Sequence, residues 1–126
     1  MPYKNEIDAA ISAHEMWKVR LAEAIESHAI DLPIDRICRD AYCEFGAWLY
    51  SDSITPTEKS SQRYKLVRHL HADFHKAAAE VAEFALAGQA VSAKNLMSET
   101  GRFSVVSKRL LAALNDWNKI AKSSVS

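Results

Sequence analysis

Residues that break regular structure are scarce in this chain, with three glycines and three prolines among 126 residues. That shortage argues against a loop-rich or turn-dense fold and points to long helices joined by few turns. Cysteine is almost absent, at Cys38 and Cys43 only. Two thiols cannot build the disulfide framework of a small secreted domain, which leaves a metal ligand or a structural thiol as their roles. An excess of charge of one sign is missing too: 16 lysines and arginines balance 16 acids. A neutral chain lacks the electrostatic footprint of a binder of nucleic acid or of anionic membranes. No apolar run approaches the roughly 20 residues needed to cross a bilayer. The start, Met1-Pro2-Tyr3-Lys4-Asn5-Glu6, lacks the apolar core of a secretion signal. The cytoplasm is the expected address.

What is present is apolar material in helical register. At 48% hydrophobic and 25% charged, the composition is that of a globular chain, and the length suits one domain over residues 1–126. From Asn5 to about His28, residues Ile7, Ala10, Ile11, His14, Trp17, Leu21, Ile25 and His28 recur at spacings of three and four. This is the stripe of an amphipathic helix, with Asn5 as its expected cap and Asp31-Leu32-Pro33 as its break. A connecting segment follows, with one short helix near Cys43–Tyr50, and then a loop at Ser51–Pro56. Thr57 is the expected cap of a long helix whose stripe runs Tyr64, Val67, Leu70, His71, Phe74, His75, Ala78, Val81, Ala85 and which Gly88 ends. A last helix is expected from Ala90 to about Lys122, with Val91, Phe103, Val106, Leu110, Leu114, Trp117 and Ile120 inward and a possible kink at Gly101. The pattern predicts an all-α fold, an antiparallel four-helix bundle with a short helix carrying the cysteine. Ser123–Ser126 reads as a polar tail.

Polar groups in apolar stripes carry the chemistry. His71 and His75 are one turn apart on the same helical face, close enough to share an ion at zinc–nitrogen distances of roughly 2.0–2.1 Å. His14 lies on the inner stripe of the first helix. Three inward imidazoles need partners for their ring nitrogens, and one metal ion satisfies three at once. Cys43, in Cys43-Glu44-Phe45-Gly46-Ala47-Trp48, supplies a fourth donor, a soft thiolate that favours zinc over magnesium or calcium. Three histidines and a cysteine fill a tetrahedron and leave no position for an activated water. The expectation is therefore one Zn²⁺ per chain, held in a structural or sensing site and not in an enzyme. A single thiolate leaves the site positively charged, so a supporting carboxylate is expected.

Three segments together, His14-Glu15-Met16-Trp17-Lys18, Cys43-Glu44-Phe45-Gly46-Ala47-Trp48 and His71-Ala72-Asp73-Phe74-His75, resemble the signatures of the chemoreceptor zinc-binding (CZB) domain family, in the family's order, across about Ile7 to Trp117. The resemblance implies a helical bundle with His14, Cys43, His71 and His75 as zinc ligands, usually a homodimer. It implies partnership with bacterial signalling proteins such as chemoreceptors or diguanylate cyclases, in chemotaxis or cyclic-di-GMP signalling. Within these 126 residues no output domain is expected beside the zinc-binding one.

Plainer readings compete. His28 lies about 21 Å along the helix from His14, too far for one site, and His69 points to another face than His71. Cys38 reads as a structural or half-exposed thiol, since a disulfide to Cys43 would destroy the ligand set. Trp17, Trp48 and Trp117 read as core fillers or interface anchors. Lys59, Arg63, Lys65 and Arg68 read as a solvated face. His14-Glu15 begins like a zinc-protease motif, but Lys18 stands where the second histidine is required. A di-iron bundle needs inward carboxylates in Glu-x-x-His pairs, which the stripes lack. A structural zinc adaptor, without a sensing role, is the alternative function.

Overall fold

Alternating steps of four and three carry Tyr3, Ile7, Ala10, His14, Trp17, Leu21 and Ala24 down one face of α1 (Tyr3–Ser27), and all are buried. The computed structural model describes residues 3–30, 33–39 and 43–123. The helix already runs at Tyr3, the first described residue, so the expected cap Asn5 lies inside it. It ends where His28 takes φ 58°, the left-handed conformation that costs a non-glycine residue roughly 1–2 kcal/mol. The imidazole offsets part of that cost, with Nδ1 3.3 Å from the carbonyl of Ala85. Asp31 and Leu32 of the expected break, and the tail beyond Ser123, lie outside the described residues.

The chain then returns through three short helices, α2 (Ile34–Ile37), α3 (Glu44–Leu49) and α4 (Pro56–Lys59). The expected single helix from Thr57 is in fact two. Thr55 caps α4, its side chain accepting from the amide of Glu58 at 3.1 Å. Ser61 then caps α5 (Gln62–Leu86) through the amide of Tyr64, and its hydroxyl also donates to the carbonyl of Glu58 at 2.6 Å. Two caps six residues apart end one helix and start another. As expected, α5 stops at Gly88, whose φ of 74° closes a double turn. The Gly88 amide meets Ala85 and the Gln89 amide meets Phe84 at 2.9 Å.

The expected last helix is also divided, into α6 (Ala90–Met97) and α7 (Arg102–Ser123). Gly101 makes a turn there instead of a kink. A Cβ at this residue would run into the backbone carbonyls of Asn95 and Leu96, and the hydroxyl of Ser104 ties off the Met97 carbonyl at 2.8 Å. The break resets the helical phase. Phe103, Leu110, Leu114 and Trp117 are buried as expected, but Val91 is 75% exposed and Ile120 40% exposed.

The N-termini of α1 and α5 and the C-terminal part of α7 meet at one end of the bundle. There Tyr3 packs on Trp117 at 6.0 Å, and Trp117 packs on Tyr64 at 6.1 Å. At the other end His28 meets Ala85. So α1 and α5 run the same way, α7 runs against both, and the broken segment α2–α4 fills the descending position between α1 and α5. One core joins α1, α5 and α7, with Ile37, Phe45, Leu49 and Ile54 of the descending segment buried against it.

A buried carboxylate pins the lower end. Glu58 is 6% exposed, and both its oxygens are clasped by Arg63 at 2.7 and 2.8 Å. The indole N–H of Trp117 donates to it at 3.0 Å. Arg63 therefore belongs to a structural ion pair and not to a solvated basic face. These donors hold the Glu58 carboxyl below its ordinary range, the Arg63 hydrogen bonds first, against an opposing push from burial.

Candidate metal centre

Each histidine of the site is delivered by a helix stripe, and each ring is set by its surroundings. His14 comes from the middle of α1, and His71 and His75 come from successive turns of α5. All three are buried, at 2%, 0% and 2% exposure. Cys43 is the half-buried N-cap of α3. Its sulfur takes the place usually filled by a capping oxygen and accepts from the Gly46 amide at 3.2 Å.

One donor atom from each of the four residues lies within 4.8 Å of every other. The structure thus brings together all four residues singled out from the sequence. Two edges of this group are already short: Cys43 Sγ to His71 Nε2 is 3.2 Å, and His71 Nε2 to His75 Nε2 is 3.1 Å. A tetrahedron built on zinc–nitrogen and zinc–sulfur bonds of about 2.0–2.3 Å has edges of roughly 3.3–3.6 Å. Modest adjustment of the remaining edges would close the group around one ion.

The far nitrogens of two rings settle which atoms face inward. His14 Nδ1 lies 2.7 Å from the carbonyl of Ala10, and His75 Nδ1 lies 3.0 Å from the carbonyl of Ile37. A carbonyl only accepts, so both Nδ1 atoms carry protons and both neutral rings turn a lone pair on Nε2 toward the centre. These carbonyls occupy the supporting position in which a carboxylate was expected. The lone pair of His75 Nε2 and the sulfur of Cys43 both converge on His71 Nε2. One proton at that atom can serve only one of them well, whereas a cation serves all.

Burial keeps His14 and His71 neutral. His14 is pushed down to about 4, chiefly by desolvation. The Ala10 carbonyl opposes this and His75 adds to it. His71 is pushed down to about 2, by desolvation first and then by the neighbouring His75 and His14. Aromatic walls shield the group: Phe45 meets His14 and His71 edge-on at 5.9 and 5.2 Å, and Phe74 meets His14 at 4.9 Å.

The other candidates fall outside this group. His69 is exposed, with its Nε2 3.3 Å from Asp73. His28 sits at the end of α1, against Ala85. The thiol of Cys38 donates to the Asp35 carbonyl at 3.3 Å. Sequence reasoning missed the two supporting carbonyls. That of Ala10 was accessible in principle, lying one helical turn before His14. That of Ile37 comes from 38 residues away and left no signal.

A four-residue donor set of this kind, on these helices, is what a family comparison should register. The model of the chemoreceptor zinc-binding domain matches residues 14–82, more than half of the 126. The chain belongs to the chemoreceptor zinc-binding domain family. The match opens at His14 and takes in Cys43, His71 and His75, so the family's zinc-binding character and the clustered donors coincide. No curated protein and no solved structure matches the chain. Among the described residues, no helix is long and apolar enough to cross a membrane.

Proposed function

We propose that this CZB domain is a zinc-responsive sensory module, with one zinc ion held by His14, Cys43, His71 and His75. The observation that carries this reading is the convergence of the four donors with the inward tautomers of His14 and His75 already set by backbone carbonyls. Softness of the sulfur and the count of four donors favour zinc. With all four positions supplied by protein there is no place for an activated water, which supports a binding role over an enzymatic one. The setting we infer is the bacterial cytoplasm, in a pathway such as chemotaxis or cyclic-di-GMP signalling.

The same donors couple the metal to the fold. The ion would join α1, α3 and α5, and Cys43 also caps α3. Helices as short as α2 and α3 do not persist alone, so occupancy would order the descending segment while α1, α5 and α7 keep their own core. Two inputs fit this element: zinc availability by mass action, and an oxidant that converts the Cys43 thiolate into a poor ligand. The rival reading is a structural zinc adaptor. Hydrogen exchange with and without a chelator separates the two. A sensor loses protection over α2 and α3 and keeps it in α5 and α7, whereas a structural site loses it everywhere.

The partner we infer is a second copy of the chain. Leu66, His69, Arg109, Ala112, Ala113 and Asp116 line one groove between α5 and α7. Positions 109 and 116, like 112 and 113, are symmetric about one point on α7. Two α7 helices crossing antiparallel there would set each Arg109 against Asp116 of the second copy, with alanines allowing close approach. In sedimentation, R109D should dissociate the dimer, and adding D116R should restore it. A monomeric wild type would remove this partner.

A further inference from the structure

Cys38 takes no part in the donor set, yet its backbone is tied to it. It is the C-cap of α2 and directly follows Ile37, whose carbonyl holds His75 Nδ1 at 3.0 Å. Cys43 reaches the same pair of histidines by its sulfur, 3.2 Å from His71 Nε2, which is itself 3.1 Å from His75 Nε2. Both cysteines therefore border the His71–His75 pair, Cys38 through the peptide bond before it and Cys43 through its side chain. Both are half-buried and neither is in a disulfide.

The elements that carry them are the least self-supporting in the fold. The four residues of α2 and six of α3 fall far short of the roughly 12–15 that a helix needs to persist alone. Ile37 and Phe45 bury them against the core of α1, α5 and α7, so a shift need involve only the ends that carry Cys38 and Cys43. Four residues separate the two cysteines in sequence, a separation across which Cα atoms can approach to the roughly 5.5–6 Å of a disulfide.

We propose that Cys38 is the resolving thiol for Cys43, and that the two form a reversible disulfide when the site meets a hydroperoxide. This rests on the zinc-site reading above and on its oxidant input. In the first step the Cys43 thiolate attacks the terminal peroxide oxygen. The S–O bond forms as the O–O bond breaks, and the departing oxygen takes a proton and leaves as water or an alcohol. In the second step the Cys38 sulfur attacks Cys43 Sγ. The S–S bond forms as the S–O bond breaks, and hydroxide leaves as water with the proton of Cys38. The two sulfurs supply the two electrons that reduce the peroxide.

Two consequences follow for the metal. Its sulfur ligand is lost, and movement of Cys38 toward Cys43 draws the Ile37 carbonyl off His75. The disulfide also keeps Cys43 from further oxidation to the sulfinic acid, which thiols cannot reverse. Release is therefore complete and recoverable.

The test treats the zinc-loaded full chain with hydrogen peroxide in the absence of air, following released zinc with a colorimetric chelator and the protein by mass spectrometry. Trypsin cuts after Arg36, Arg39 and Lys59, so the fragments Ile37–Arg39 and Asp40–Lys59 stay joined only through a disulfide. The wild type should release its zinc, give the joined fragments, resist the sulfenic-acid trap dimedone, and rebind zinc fully after dithiothreitol. Cys38→Ser should bind zinc as the wild type does and release it to peroxide. It should then be trapped by dimedone or gain two oxygens, and recover several-fold less zinc binding after dithiothreitol. Separate fragments from the oxidised wild type, or equal recovery in both proteins, would overturn the proposal. Failure of the underlying reading looks different: no zinc before peroxide is added, or zinc retained when Cys43 is oxidised.

Discussion

The sulfur of Cys43 lies 3.2 Å from Nε2 of His71, a residue 28 positions further along the chain. That contact joins a short helix, unable to stand alone, to the central helix of the bundle. It makes Cys43 both a donor and the cap of α3. The behaviour of the site follows from that double role.

The ring tautomers can be observed directly. In the zinc-loaded protein, long-range proton–nitrogen correlation spectra should show His14 and His75 protonated at Nδ1 and metal-bound through Nε2. The Ala10 and Ile37 carbonyls dictate this arrangement. Coordination of either ring through Nδ1 would contradict it.

Without metal, stability should fall on acidification. The unfolded histidines take up protons near 6.5, while folded His14 and His71 resist until about 4 and about 2. Between those values the unfolded chain binds more protons, so stability is present above about pH 6.5 and is lost as pH falls through the depressed values. The loss should reach the order of a few kcal/mol by pH 4. Urea midpoints of the metal-free protein at pH 7.5, 6 and 5 should decline in that order. A flat series would mean that these imidazoles are already solvated.

The stripes of α1 and α5 were legible because burial imposes helical periodicity on composition, and the histidines stood out as polar groups within those stripes. What escaped the sequence was local or non-periodic. The caps at Thr55 and Ser61 divide what periodicity read as one helix, since a stripe carries no record of a two-residue break. Gly101 was visible as a breaker, but a kink and a turn differ only in whether the carbonyls of Asn95 and Leu96 crowd it. Once the turn resets the phase, Val91 on α6 faces outward, while Ile120 is exposed on α7 itself, beyond its last buried apolar residue, Trp117. Burial of Glu58 depends on Trp117, 59 residues away, and nothing in either neighbourhood announced it.

Gly101→Ala should destabilise the protein by about 2–4 kcal/mol, because backbone atoms of Asn95 and Leu96 occupy the space of the new Cβ. Gly88→Ala, at φ 74° with open space around it, should cost only the left-handed strain of about 1–2 kcal/mol. Thermal melts of both variants test this order. Equal losses would mean that the turn at 98–101 tolerates a side chain.

Glu58→Gln keeps the shape but loses the charge that both Arg63 and Trp117 address. Removing one partner from a buried hydrogen-bonded group costs about 1–3 kcal/mol. The partial exposure of Arg63, 38% for its side chain, places the loss toward the lower part of that range. Fluorescence of the tryptophans should shift as the Trp117 indole exchanges a charged acceptor for a neutral amide. An unchanged melting temperature and spectrum would show that the clasp adds nothing to the fold.

The central claim is tested most directly by the metal content of untagged protein, measured by elemental analysis alongside Cys43→Ala. The expected result is about one zinc per wild-type chain, with the variant folded and its zinc weakened or lost. Iron, two metals per chain, or zinc bound with equal strength after Cys43→Ala would contradict the four-donor site.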